Sequence, residues 1–117
     1  INDISLNIDK NIILANYQGI ITKIKTESPK TTIYIQSILP TNDEFDKFKN
    51  HQGKMDIIKE VNRELEKLAN TNKVVFLNIF PEFLDEQGKL SKEYTNDGLH
   101  LLGEGYLHWA FILKKHI

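Results

Sequence analysis

The chain has no cysteine, only three prolines and a single methionine in 117 residues. Without cysteine there is no disulfide framework, no thiolate nucleophile and no thiolate metal site. Long hydrophobic runs are missing too. No apolar stretch approaches the roughly 20 residues that a membrane-spanning helix needs. Nor does charge of one sign accumulate: 15 lysines and arginines stand against 16 acids, spread along the chain, for a formal net charge of -1. A nucleic-acid surface needs a concentrated basic face to displace phosphate counterions, so nucleic acid is not expected as a partner. An initiating methionine is absent as well. The chain opens on Ile1 and its sole methionine is Met55, so these residues are expected to belong to something longer.

What is present reads as an ordinary globular core. Hydrophobic residues make up 40% and charged residues 26%, which suits one domain and is too short for two. From Asp9 to Glu27, Ile13, Tyr17, Ile20, Ile21 and Ile24 recur at helical steps, and Asp9 is placed to cap the first turn. Pro29 ends that helix by removing a donor and pushing Ser28 out of helical geometry. The run "TTIYIQSILP" is β-branched and aromatic enough for a buried strand. After the polar loop "TNDEFDKFKNHQGK", a second helix is predicted from Met55 to Ala69, with Ile57, Ile58, Val61, Leu65 and Leu68 inward. "KVVFLNIF" predicts a second buried strand. The last helix is expected near Gly103, carrying Tyr106, Trp109, Ala110 and Leu113. Strands alternating with helices imply an α/β fold with a parallel sheet covered on both faces. Two parallel strands are too few to cover three amphipathic helices, so further strands are expected outside these residues.

Near the C-terminus, "YTNDGLHLLGEGY" sets Asp97 and His100 three apart around Gly98. In a serine-hydrolase triad a carboxylate fixes the imidazole tautomer, and the other ring nitrogen removes the hydroxyl proton. On spacing alone the stronger reading is a plain turn, because Asn, Asp and Gly all tolerate left-handed backbone. The other histidines suggest less. His108 and His116 are eight apart, not the i, i+4 spacing of a helical metal site, and with His51 they read as solvated. Trp109 and Phe111 are expected to cover the sheet. Phe45 and Phe48, apolar in a polar loop, could line a pocket or make a small hydrophobic contact.

The opening "IND" together with "DGLHLLGEGY" resembles the SGNH (GDSL-type) hydrolase family. That family's third block is glycine, any residue, asparagine, aspartate, which Ile1, Asn2 and Asp3 fit with the glycine cut away. Its fifth block is D-x-x-H followed by an apolar residue and a G-Y step, supplied here by Asp97, His100, Leu101, Gly105 and Tyr106. The resemblance covers essentially the whole chain and about the C-terminal two-thirds of the family. It implies a flavodoxin-like three-layer α/β/α sandwich, residues 1–117 being one partial domain that lacks its N-terminal strands. It also implies ester hydrolysis without metal or organic cofactor, on a small ester substrate such as an acylated carbohydrate or lipid. His100 would be the general base, Asp97 its orienting partner and Asn2 an oxyanion donor.

The family's G-D-S nucleophile block is absent. Ser5, Ser28, Ser37 and Ser91 lie in neither a G-D-S nor a G-x-S-x-G setting. Ser37 sits at a strand end, where a local backbone bond is the stronger reading. This chain alone is therefore expected to lack triad activity. The alternative is a non-catalytic α/β module with a decayed site, binding carbohydrate or a protein. A third arrangement pairs this chain with a separate piece that supplies the first strand.

Overall fold

A computed structural model describes residues 1–117. A single helical turn, α1 (Asn2–Ser5), opens the chain and leads into α2 (Lys10–Glu27). Asp9 caps α2 by accepting from the Asn11 N–H at 2.8 Å. Strand β1 (Tyr34–Gln36), helix α3 (Met55–Asn72), strand β2 (Val75–Leu77) and helix α4 (Gly103–Leu113) follow. Both strands are much shorter than their apolar runs predict. Past Ser37, whose N–H still reaches Leu77 O, the chain leaves the ladder, and the Asn62 side chain on α3 takes over the backbone bonds. Asn62 Oδ1 accepts from Ile38 N at 2.7 Å, and its Nδ2 donates to the Ile38 carbonyl at 2.9 Å.

The strands are parallel, with Tyr34 opposite Val75, Ile35 opposite Phe76 and Gln36 opposite Leu77. Because side chains alternate along a strand, this register sorts the core into two layers. Ile33, Ile35, Val74 and Phe76 face the cluster built by Ile13 and Ile21 of α2 with Ile58, Val61, Leu65 and Ala69 of α3. Tyr34 and Leu77 face the other way, with Ile79, Phe83, Leu90 and Ile112 of α4. The layers are thus α2 and α3, then the sheet, then α4.

The outer edge of β1 carries no strand. Val75 N donates to Ile33 O and Ser37 N to Leu77 O, both at 3.0 Å, so alternation turns the backbone groups of Tyr34 and Gln36 away from β2. Several apolar helix positions remain uncovered. Ile20, counted in the inward stripe of α2, is exposed, as are Tyr106, Ala110 and Phe111 of α4. Phe111 therefore does not cover the sheet. Trp109 does, with its Nε1 donating to Gln36 Oε1 at 2.6 Å. A groove of about 300 Å³ runs along this open edge, lined by Ile1, Tyr17, Pro40, Leu99 and Trp109 among others.

Candidate active site

The loop from Tyr94 to Leu102 holds the dyad, and its shape follows from short-range hydrogen bonding. Thr95, fully buried, donates its hydroxyl to the His100 carbonyl at 2.7 Å and accepts from Gly98 N at 3.0 Å. Asp97 Oδ1 accepts from the backbone N–H of both Leu99 and His100 at 2.8 Å. A short polar side chain folded back on its own backbone is what makes Asp a turn residue. Here it leaves Oδ2 free, and that oxygen lies 2.7 Å from His100 Nδ1. The turn and the dyad are one structure, so the two readings of "DGLH" do not exclude each other.

Two contacts anchor this loop to the rest of the fold. Asn42 N donates to the Gly98 carbonyl at 2.8 Å, while Asn42 Nδ2 donates to Leu90 O at 2.9 Å. At the other end Leu102 N donates to Tyr94 O at 2.7 Å, and Gly105 lets the first turn of α4 lie against Leu101 and that same carbonyl. The D-x-x-H segment and the G-E-G-Y segment are therefore mechanically coupled.

Burial by itself would raise the Asp97 carboxyl pKa. The backbone N–H groups of His100 and Leu99, then the His100 side chain and its charge, outweigh burial and lower it to about 2. A group with a depressed folded-state pKa contributes stability above its unfolded value, ordinarily 3.8, and loses it as pH falls toward 2. The expected result is a stability difference between the native protein and Asp97→Asn that holds from pH 6 to about 4 and shrinks between about 4 and 2. Urea unfolding across that range measures it, and a difference independent of pH would contradict this account.

His100 is largely exposed, at 65% of its side chain, whereas Asp97 keeps only 17%. A sheltered carboxylate behind an open imidazole leaves Nε2, on the far side of the ring, available to a reacting group. Against the ring of His100 lies Phe48, edge to face at 5.0 Å between centroids. Phe48 also meets His51 at 6.2 Å, and His51 Nε2 lies 3.3 Å from Asn2 Oδ1. Asn2 thus makes no direct bond to the dyad; His51 and Phe48 stand between them.

Two of the sequence expectations are altered here. His51, read as solvated, is a hydrogen-bonded neighbour of Asn2. His108, read the same way, shares a 2.8 Å hydrogen bond with the Glu82 carbonyl and stacks on Tyr94 at 4.8 Å. Ser37 is only 4% exposed, and its Oγ accepts from Ile79 N and Phe80 N, both at 2.9 Å. It ties the end of β1 to the turn after β2. No cluster of three or more His, Asp or Glu side chains is arranged to hold a metal ion. Thr95 was not singled out by sequence; a Thr two residues before an Asp in a turn is its only local signal.

The profile of the GDSL-like lipase/acylhydrolase family matches residues 1–107. The chain belongs to that family. Its fold is similar to that of a protein from Streptococcus pneumonia described as a candidate platelet activating factor, with 34% identity and a TM-score of 0.91. That alignment covers 98% of this chain and 55% of the streptococcal one. A GDSL-like lipase from Bacteroides thetaiotaomicron aligns at 26% identity and TM-score 0.77, over 92% of this chain and 51% of the other. A candidate acylhydrolase from Bacteroides fragilis shares the fold at 22% identity and TM-score 0.82, over 97% and 55% of the two chains. No curated protein is similar enough to match. This GDSL-family chain therefore spans about half the length of these relatives, less than the two-thirds expected from the motif blocks. The three-layer arrangement is the family's α/β fold with a reduced sheet.

Proposed function

We propose that this GDSL-family chain supplies the general base, its orienting carboxylate and one oxyanion donor of a serine acylhydrolase whose nucleophile lies outside residues 1–117. The observation that carries this reading is the 2.7 Å bond between Asp97 Oδ2 and His100 Nδ1, made by a carboxylate that two backbone N–H groups already hold. With Nδ1–H committed to Asp97, the Nε2 lone pair takes the proton from a serine hydroxyl as its oxygen attacks the ester carbonyl. Asn2 Nδ2 donates to the developing oxyanion. Nε2–H then protonates the departing alcohol, and water repeats the sequence to release the acid. The substrate is an ester with a small acyl group, borne on a carbohydrate or a lipid.

The test uses a polypeptide in which these residues follow a segment carrying the serine. It is expected to hydrolyse an aryl acetate faster than an aryl octanoate and to be labelled at one serine by a fluorophosphonate. The 117-residue chain by itself is expected to do neither, since losing the nucleophile removes about 10⁶ of rate. A folded, longer polypeptide that is neither labelled nor active would instead support a non-catalytic binding module. Turnover by residues 1–117 alone, abolished by His100→Ala, would place the nucleophile inside the chain.

A further inference from the structure

We infer that His51 is a positioning residue for Asn2, fixing which end of the asparagine amide is presented to the oxyanion; this rests on the reading of Asn2 as an oxyanion donor. An asparagine side chain has two ends of nearly equal size and opposite hydrogen-bonding character. Turned one way, it offers Nδ2–H to a developing negative charge. Turned by 180°, it offers Oδ1, which repels that charge. A useful oxyanion donor must have this choice made before the reaction begins, because preorganisation is the source of its effect.

The structure provides a group that makes the choice. His51 Nε2 lies 3.3 Å from Asn2 Oδ1. An imidazole that donates from Nε2 pins Oδ1 and leaves both Nδ2 hydrogens for another acceptor. The donation survives protonation of His51, since both ring nitrogens of an imidazolium are donors. Asn2 has little other restraint on its side chain; its backbone carbonyl, not its amide, holds α1 by accepting from Ser5 Oγ at 2.7 Å.

His51 is in turn held in a loop with several hydrogen bonds of its own. It ends a 3-10 turn (Lys49–His51) whose preceding residue is Phe48, and His51 N donates to Phe48 O at 2.8 Å. Asp46 accepts from Lys49 Nζ at 2.7 Å and Gln52 Nε2 at 3.0 Å, and Asp43 accepts from Gly53 N at 2.8 Å. Asp46 and Phe48 both take left-handed backbone, with φ of 46° and 54°. That conformation is uncommon for a bulky residue such as phenylalanine and persists only where surrounding structure over-determines it. What it achieves is the placement of one phenyl ring against two imidazoles, His100 at 5.0 Å and His51 at 6.2 Å. Phe48 thereby spaces the general base from the group that orients the oxyanion donor. The loop sets both distances at once.

The experiment compares kcat and KM for aryl acetate hydrolysis in the serine-containing polypeptide. Asn2→Ala is expected to lower kcat by about 10²–10³. His51→Leu, which fills the volume without donating, is expected to lower kcat roughly tenfold with KM little changed, as misorientation of a catalytic group does. His51→Gln, whose Nε2 can donate from a similar place, should restore most of that loss. In an Asn2→Ala background His51→Leu should cost nothing further. A loss that is the same in both backgrounds, or no loss on His51→Leu while Asn2→Ala is impaired, overturns the positioning role and leaves the oxyanion reading standing. A neutral Asn2→Ala overturns the oxyanion reading itself. If His51→Leu does not fold, His51→Ala takes its place: it is expected to be about tenfold slower in kcat than His51→Gln, and equal kcat in the two overturns the proposal.

Discussion

His100→Ala, in a polypeptide that carries the nucleophilic serine, is expected to reduce kcat by about 10⁶-fold and to leave folding intact. The size of the effect comes from the way triad members act as a unit: once the base is gone, the serine hydroxyl stays protonated and cannot attack. What remains is the contribution of the oxyanion donors and of substrate binding, roughly 10³–10⁴ over water. Folding should be spared because the His100 side chain is mostly exposed and bonds only to Asp97 and the edge of Phe48. Asp97→Asn is expected to cost about 10⁴ in kcat. Its side-chain oxygen can still accept from Leu99 N and His100 N, so the turn survives. The amide, however, cannot offer a carboxylate to Nδ1, and the tautomer is no longer held. Steady-state kinetics, with circular dichroism on each variant, check both numbers. A His100→Ala enzyme retaining a tenth of native kcat would remove histidine from the mechanism.

Gly98→Ala should be the most damaging small substitution in the loop. Gly98 has φ +82°, which costs an L-residue roughly 1–2 kcal/mol. A Cβ there would also stand 2.1 Å from the Asn42 carbonyl oxygen and 3.3 Å from Phe45 Cδ2. Backbone cannot swing aside as a side-chain tip can, and Asn42 is itself tied to Gly98 O and Leu90 O. Relieving such overlap typically costs a further 1–3 kcal/mol or more, for a total on the order of 3 kcal/mol. Gly88 is the internal control. It has φ +76° but nothing within 4 Å of its would-be Cβ, so Gly88→Ala should lose only the conformational part. Urea unfolding of the two variants separates the contributions. Equal losses would show that the contact with Asn42 contributes nothing.

Because Asn42 and Phe45 press on Gly98, and Phe48 on His100, the polar loop after β1 forms one face of the dyad's support. The sequence marks Phe45 and Phe48 in "TNDEFDKFKNHQGK" as apolar residues able to line a pocket or make a small hydrophobic contact, but does not say which residues they meet. Periodicity is silent about such a loop because its contacts are made with residues some fifty positions away. The same limit explains the misreadings on the helices. Ile20 and Phe111 have apolar spacing, but spacing names a face and does not say whether a neighbouring element covers it. Here both are exposed.

By itself, the sequence determined the order of the three longer helices and the two strands, and the cap at Asp9. These depend on contacts within a few residues, where stereochemistry leaves few choices; Asp97 and His100 stood out only through the family resemblance, since their spacing alone favours a plain turn. Tertiary structure alone decided that Ser37 serves as a strand tie, that His51 meets Asn2, and that Phe48 stands between the two histidines. Those outcomes depend on how loops close over the ends of the strands, and closure is set by the packing of the whole chain, which no local pattern records.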